Sequence, residues 1–593
     1  MSDLLASHGL PQRWQGRERF VVLDTDFGRG ERFVAASQAW RDDPQRCMRL
    51  VFISIQPHPL TAAEVHATLR SAWPPQTPDL QRLVFDAGRV ELLLAPGDTA
   101  TWLRELVAEV DAFCIGSEPA VDTLRLCKAL ARLAAPGATL DAAPIDSAMR
   151  MHLTSAGFVL DDPASVGPIG GRFAPVFTPR RAPLRRSRSD TGERHALIIG
   201  AGLAGCAAAW ALAGHGWRST LLERQPTIAS AASGNPAGLF HGIVNARDGV
   251  HARFNRAAAL AAHPAVQAAL NGGAPGRADG LLRLEMSLDV SQMRTLLQNL
   301  GLPPGYVQAL SAQDASARAG QPLARACWFY PGGGWVQPHG LARAFLERAG
   351  ALADVRATTD AHALQRTASG WRVLGARGHT LGEAQTLVLA NAGDALRLIG
   401  APDWPIDSVR GQISMADASQ LSSPQLPIAG SGYLLPALDG RVMFGATAQR
   451  DDADPSVRAA DHALNLAQLA RLLGGPVDID PASLQGRTAW RCSAVDRLPV
   501  IGAVPDPAAQ GARLDQPRFV PRLPGLYVFS ALGSRGITWS ALGAQVLASW
   551  VTGAPSPIGA SLLDAVDPAR FVSRRVRRGP SAGLPGATKR PTS

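Results

Sequence analysis
Three glycines carry the clearest chemistry in the 593-residue chain. In "HALIIGAGLAGCAAAWALAGHG", Gly200, Gly202 and Gly205 complete the spacing G-x-G-x-x-G between a short apolar run and an alanine-rich one. Strand, tight turn and helix in that order build a phosphate cradle. The first glycine permits the turn, the second lets backbone approach a pyrophosphate, and the third lets helix close on strand. The helix start adds unpaired N–H groups and the positive end of its dipole. A second apolar run, "WRSTLLE", ends at Glu223, whose carboxylate can accept hydrogen bonds from a ribose 2′-hydroxyl. The spacing points to a bound dinucleotide. The uncharged run 196–214 is also long enough for a bilayer, but glycines break it into two elements and no second apolar span accompanies it.

The rest of the chain must position that loop. Its length predicts two to four domains and a large core. Lys and Arg total 59 against 49 acidic residues, a formal charge of +10 that favours a polyanionic partner without proving one. The six cysteines are scattered without a CxxC pair or nearby histidine cluster, which argues against a metal site or a disulfide framework. The amino terminus, "MSDLLASHGLPQRWQG", lacks a basic start and apolar run, so a cytoplasmic location is expected and no membrane partner.

Before residue 177, short apolar runs ("RFVVLD", "RLVFIS", "VELLLA", "VDAFCIG") alternate with helical patterns such as "TWLRELVAEV", the rhythm of a parallel α/β sheet. The stretch "TPRRAPLRRSRSDTGER" is rich in Pro, Ser and Arg without apolar period and reads as a basic linker over 178–194. A second α/β unit follows, then β-rich segments ("GLLRLEMS", "GGWVQP", "GYLLPALDGRVMFGAT") and a closing strand, loop and helix, "GLYVFSALGSRGITWSALGAQVLASW". The tail 572–593 is basic and poor in apolar residues, which predicts disorder.

Further motifs occur in the order "ASAASGNPAGLF", "YPGGGWVQP", "LVLANAG", "VRGQIS", "WRCSAVDRLPVIGAVPD" and "FSALGSRGI". Together they resemble the D-amino-acid-oxidase-like flavoenzymes, and more narrowly the FAD domain of the bifunctional tRNA 5-methylaminomethyl-2-thiouridine biosynthesis (MnmC) family. The resemblance implies an α/β chain: a Rossmann-like methyltransferase domain over 1–177, then a two-part FAD-binding oxidoreductase domain over 195–571, with a Rossmann-like FAD part and a β-rich substrate part. It implies FAD held by Gly200, Gly202, Gly205, Glu223, Ser233, Gly234 and Asn235 and by the loop Gly533, Ser534, Arg535 and Gly536. It also implies tRNA as partner. The reaction would be oxidation of the glycine-like arm of 5-carboxymethylaminomethyl-(2-thio)uridine at the wobble position, with release of glyoxylate and the 5-aminomethyl base. Arg491 stands where related oxidases place an arginine on the substrate carboxylate, a task for a planar guanidinium fork. A structural ion pair is the competing reading for Arg491. Arg410 and Arg535 are weaker candidates for cofactor or substrate contact, and His241 and Tyr433 for lining the flavin ring, with a place in the core as the competing reading for both. A free small amine such as glycine or sarcosine is the alternative substrate.

The family's first domain then methylates the aminomethyl base with S-adenosylmethionine, and here its motifs are altered. The cofactor loop reads "DTDFGRGERF", with Asp26 for a glycine and Arg29 for a small residue, beside the retained Gly28 and Gly30. The ribose-binding acid falls at Gln56, Gly97 and Asp98 persist, and Gly116 stands where an acid beside the methyl acceptor belongs. Methyl transfer is expected to be lost and S-adenosylmethionine is a doubtful cofactor, which leaves residues 1–177 as a tRNA-binding or packing module.

Overall fold
The computed structural model describes residues 4–116, 122–162, 167–176, 192–401 and 403–578. The chain is α/β and its strands fall into successive sheets. Across the first sheet the order is Gln81–Phe85, Val90–Pro96, Arg49–Gln56, Arg19–Asp24, Val110–Ile115, Ala134–Ala142, Ile169–Phe173 and Phe158–Leu160. The central five strands are parallel, and the edges close with antiparallel pairs. Strands such as "RFVVLD" and "RLVFISIQ" are buried along their whole length, because helices cover both faces of a parallel sheet.

The second sheet runs Ala353–Arg356, Arg218–Leu222, His195–Ile199, Thr386–Leu389, Arg522–Ser530, Val500–Pro505, parallel except for its last pair. The uncharged run divides as its glycines require, into the strand His195–Ile199 and the helix Leu203–Ala213. That helix is buried on nearly every side, under the helix Gly536–Thr552 and against Pro338–Ala349, which is why it needs no polar face. Among the described residues no helix is long and apolar enough to cross a membrane.

A nine-stranded sheet forms the β-rich part, built around the long antiparallel pairing of Ile406–Asp417 with Gln485–Ala494, from Ile406↔Ala494 to Met415↔Gln485. The stretch "GYLLPALDGRVMFGAT" supplies the strands Tyr433–Leu434 and Arg441–Gly445, which pair with each other.

Most of the expected linker, and the tail from residue 579, lie outside the described residues. The tail's start differs from expectation: the helix Arg570–Arg578 runs into it. Its buried side pays for the order, since Arg570 is buried and donates to Asp496 at 2.8 and 3.1 Å.

One contact sets the spacing of helix and strand. A Cβ on Gly205 would stand 1.9 Å from the carbonyl oxygen of Gly200. Gly205→Ala is expected to push helix and strand apart at a cost of about 1–3 kcal/mol, read as a lower urea midpoint. An unchanged midpoint would mean that the helix shifts freely.

Candidate functional site
The glycine loop leaves the carboxyl end of its strand with Gly200 at φ +97°, a conformation that side chains rarely adopt. Gly202 begins the helix Leu203–Ala213 without a side-chain cap on its own residue. Glu223 closes the turn: its carboxylate accepts the Ala201 N–H at 2.8 Å and the Gln225 N–H at 2.9 Å. Lone pairs remain on that carboxylate for a ribose hydroxyl. Ser233 reaches the helix start from another loop, its Oγ accepting the Leu203 N–H at 3.2 Å. A Cβ on Gly202 would stand 3.2 Å from this Oγ, so the approach is narrow and suits backbone alone. Helix start, positive-φ turn and terminal carboxylate fit a dinucleotide such as FAD.

The loop bearing Ser233, Gly234 and Asn235 is held by Arg487, which donates to Asn235 Oδ1, to the Ser230 carbonyl at 2.9 Å and to the Ala231 carbonyl at 2.7 Å. Sequence reasoning missed Arg487. No local signal marks it, since its partners lie some 250 residues upstream, but it shares a strand face with Arg491 by the period of two. Across the site, the Gly533 N–H donates to the Cys492 carbonyl at 2.8 Å, Ser534 is exposed, and Gly536 opens the helix Gly536–Thr552. The Gly533–Gly536 turn is thereby tied to the strand that carries Arg491.

Arg491 is half-buried and donates to the Thr447 carbonyl, and no described carboxylate pairs with it. Burial lowers its pKa, and Tyr433 opposes that shift. The Tyr433 hydroxyl is pushed up to about 12 by burial, so it is a protonated donor at neutral pH. Arg410 turns away from this group. It is fully buried and donates to Asp461 at 2.7 Å, to Gln449 at 2.6 Å and to the carbonyls of Asp454 and Ser456 at 2.7 and 2.6 Å. The structure thus removes Arg410 as a ligand contact, because its fork is spent on the fold. Arg535 makes no described side-chain hydrogen bond or ion pair. Burial and the neighbouring Arg283 lower it to about 10, still a cation at neutral pH. His241 is core: its ring lies 5.3 Å from that of Tyr330, and burial with the charges of Arg535 and Arg283 keeps it neutral.

A second group of residues gathers at the carboxyl ends of Arg19–Asp24, Arg49–Gln56 and Val110–Ile115. The Asp26 side chain lies against Gly116, where an added Cβ would stand 2.8 Å from the Asp26 Cβ. Arg32 donates to Asp24 at 2.9 Å and to the Asp26 carbonyl at 3.3 Å. Gln56 spends its amide N–H on the His58 carbonyl at 2.6 Å, and Asp98 caps the helix Thr99–Glu105 by accepting the Thr101 N–H at 2.9 Å.

Residues 195–550 match the family described as FAD dependent oxidoreductase. Two similar proteins, from Methylibium petroleiphilum and Burkholderia multivorans, are named tRNA 5-methylaminomethyl-2-thiouridine biosynthesis bifunctional protein MnmC. The first is 46% identical over 97% of this chain and 93% of its own length, the second 41% over 97% and 92%. The structure of L-proline dehydrogenase from P. horikoshii is similar in fold, with a TM-score of 0.50 at 14% identity over 64% of this chain and 98% of that one.

The two arginines of the β-rich part should separate in a stability measurement. Arg410→Ala leaves Asp461 buried without its partner and should cost about 3–5 kcal/mol in chemical denaturation. Arg491→Ala breaks no ion pair and should cost under about 1 kcal/mol. Equal losses would return Arg491 to a structural role.

Proposed function
Because the chain belongs to the MnmC family of bifunctional tRNA-modifying proteins, and its residues 195–550 to the FAD-dependent oxidoreductases, we propose that it acts on the wobble uridine of tRNA. The reaction is oxidative removal of the carboxymethyl group of 5-carboxymethylaminomethyl-(2-thio)uridine, which leaves the 5-aminomethyl base and glyoxylate. Residues 195–571 form the oxidoreductase domain and residues 1–177 the methyltransferase-like one.

The observation that carries this reading is an arginine fork without a carboxylate partner, Arg491, set beside a protonated phenol, Tyr433. An arm ending in a carboxylate would supply the missing anion, and the planar fork would fix its rotation. In this reading Tyr433 donates to the same carboxylate. FAD, when held by Gly200, Gly202, Gly205, Glu223, Ser233, Gly234 and Asn235 and by the turn Gly533, Ser534, Arg535 and Gly536, supplies the electron acceptor for oxidation of the methylene between amine and carboxylate. The protein's own share is orientation.

Arg491→Ala should keep bound flavin and lose on the order of ten- to a hundredfold in kcat/KM, the worth of one charged hydrogen bond of about 1.5–3 kcal/mol. Unchanged kinetics would move the role to Arg535. Nucleoside mass spectrometry of tRNA from a deletion strain separates the substrates. Accumulated carboxymethylaminomethyl base supports tRNA, and its absence supports a free amine such as glycine or sarcosine.

The reaction ends at the aminomethyl base. In this reading, carried over from the family's motifs, the Asp26 carboxylate would repel the methionine carboxylate of S-adenosylmethionine, Gln56 lacks the ribose-binding charge, and Gly116 lacks the acceptor's acid. Asp26 and Gly116 pack against each other, so the acid cannot be restored at 116 without moving Asp26. Incubation of aminomethyl tRNA with labelled S-adenosylmethionine should therefore give no labelled wobble nucleoside. Label that appears with repeated turnover would show a working site.

A further inference from the structure
The seam between the first sheet and the flavin-binding part encloses a cleft of about 1580 Å³. It lies at the carboxyl end of the helix Leu203–Ala213, opposite the glycine loop, and none of the proposed FAD-binding residues lines it. At its base Arg49 donates to the Gly214 carbonyl and to Glu91, while Arg82 donates to Glu91 at 2.8 and 3.0 Å. One carboxylate there faces two guanidinium groups. Burial lowers them to about 9 and about 10, and both remain charged at neutral pH.

The mouth is more basic still. Its two acids are engaged by arginines outside the lining: Glu18 with Arg194 at 3.0 Å and Asp86 with Arg41 at 2.9 Å. Arg46, Arg89 and Arg348 also line the cleft, and no described carboxylate pairs with any of them. Each is instead stacked on an indole. Arg46 and Arg89 lie 4.7 and 5.7 Å from the Trp40 ring, and Arg348 lies 4.6 Å from the Trp210 ring. Met48 and Val84, 49% and 43% exposed, add apolar surface to the same wall. The inner end is closed by His241 and Tyr330, and His241 feels the charge of Arg535 from the flavin side. The cleft thus runs from arginines at the surface to His241 and Tyr330.

Cations without an ion-paired carboxylate, held over aromatic rings and interleaved with apolar surface, match single-stranded nucleic acid, whose phosphates and base faces need both. We propose that this cleft docks the unpaired loop of the tRNA around the target uridine, with Arg46, Arg89 and Arg348 on its phosphates. The proposal rests on the tRNA reading above. It makes the first domain one wall of an RNA site, whatever the state of its methyl-transfer chemistry.

The test uses the full-length flavoprotein and tRNA that carries the carboxymethylaminomethyl base. The triple variant Arg46→Gln, Arg89→Gln, Arg348→Gln is compared with wild type and with a control, Arg294→Gln, Arg366→Gln, Arg377→Gln, which removes three exposed arginines that do not line the cleft. Loss of three single-strand phosphate contacts should flatten the slope of log KM against log salt by about 2 and raise KM on the order of tenfold near physiological salt. Flavin content and kcat should stay at the wild-type level. If the triple variant does not fold, Arg89→Gln alone should flatten the slope by about 0.7. A slope unchanged from wild type, or matched by the control, overturns the proposal. So does a change in molecular mass by light scattering with the slope unchanged, which would mark the cleft as a contact between copies of the chain. A wild-type enzyme that oxidises free glycine or sarcosine and never tRNA sinks the function reading instead.

Discussion

The site depends on how closely one helix can approach one strand. The Gly205 Cα lies so near the Gly200 carbonyl that no side chain fits between them. At that distance the helix Leu203–Ala213 points its start at the turn, the Ala201 N–H reaches Glu223, and the Leu203 N–H reaches Ser233. The alanines that follow serve the same end. Small side chains let the helix sink under Gly536–Thr552, so that the Gly533–Gly536 turn and the glycine loop open from neighbouring helix starts. A larger residue at 205 would move several ligating groups together, because they share one rigid element.

Arginine is the fastener that ties distant segments to this frame. All the basic residues except Lys128 and Lys589 are arginine, and much of the formal positive charge is spent inside the molecule. Arg487 clamps the Ser233 loop, Arg410 binds Asp461 in the β-rich part, and Arg256, itself buried, joins Asp79 of the first domain at 2.6 Å. A planar fork with five donors can satisfy several carbonyls at once, which lysine cannot. Net charge alone is therefore a poor guide to a polyanion. What matters is which arginines lack a carboxylate, and among the described residues these include Arg491 and Arg535 around the Gly533–Gly536 turn, and Arg46, Arg89 and Arg348 at the seam.

The first domain has a core of its own. Its sheet is held by strands buried end to end, and the loop after Arg19–Asp24 adds Phe27 to that core. At its strand ends the contacts are local: Asp26 accepts the Gly28 N–H at 3.2 Å and Gln56 donates to the His58 carbonyl.

By itself the sequence determined what is local or periodic. The glycine spacing, the acid at the end of the second strand and the alternation of apolar runs with helical patterns were legible, because each depends on residues within one or two turns of chain. The resemblance carried by six ordered motifs extended this to the β-rich part and to Arg491. Only the tertiary structure decided between arginines that look alike in sequence. Arg410 and Arg491 lie on adjacent antiparallel strands, yet one is buried on Asp461 and the other is left without an acid. Arg487 became visible only through partners some 250 residues away, and the basic cleft only through the meeting of two sheets. Partner choice by a long cationic side chain is set by what packs around it, and no local pattern encodes that neighbourhood.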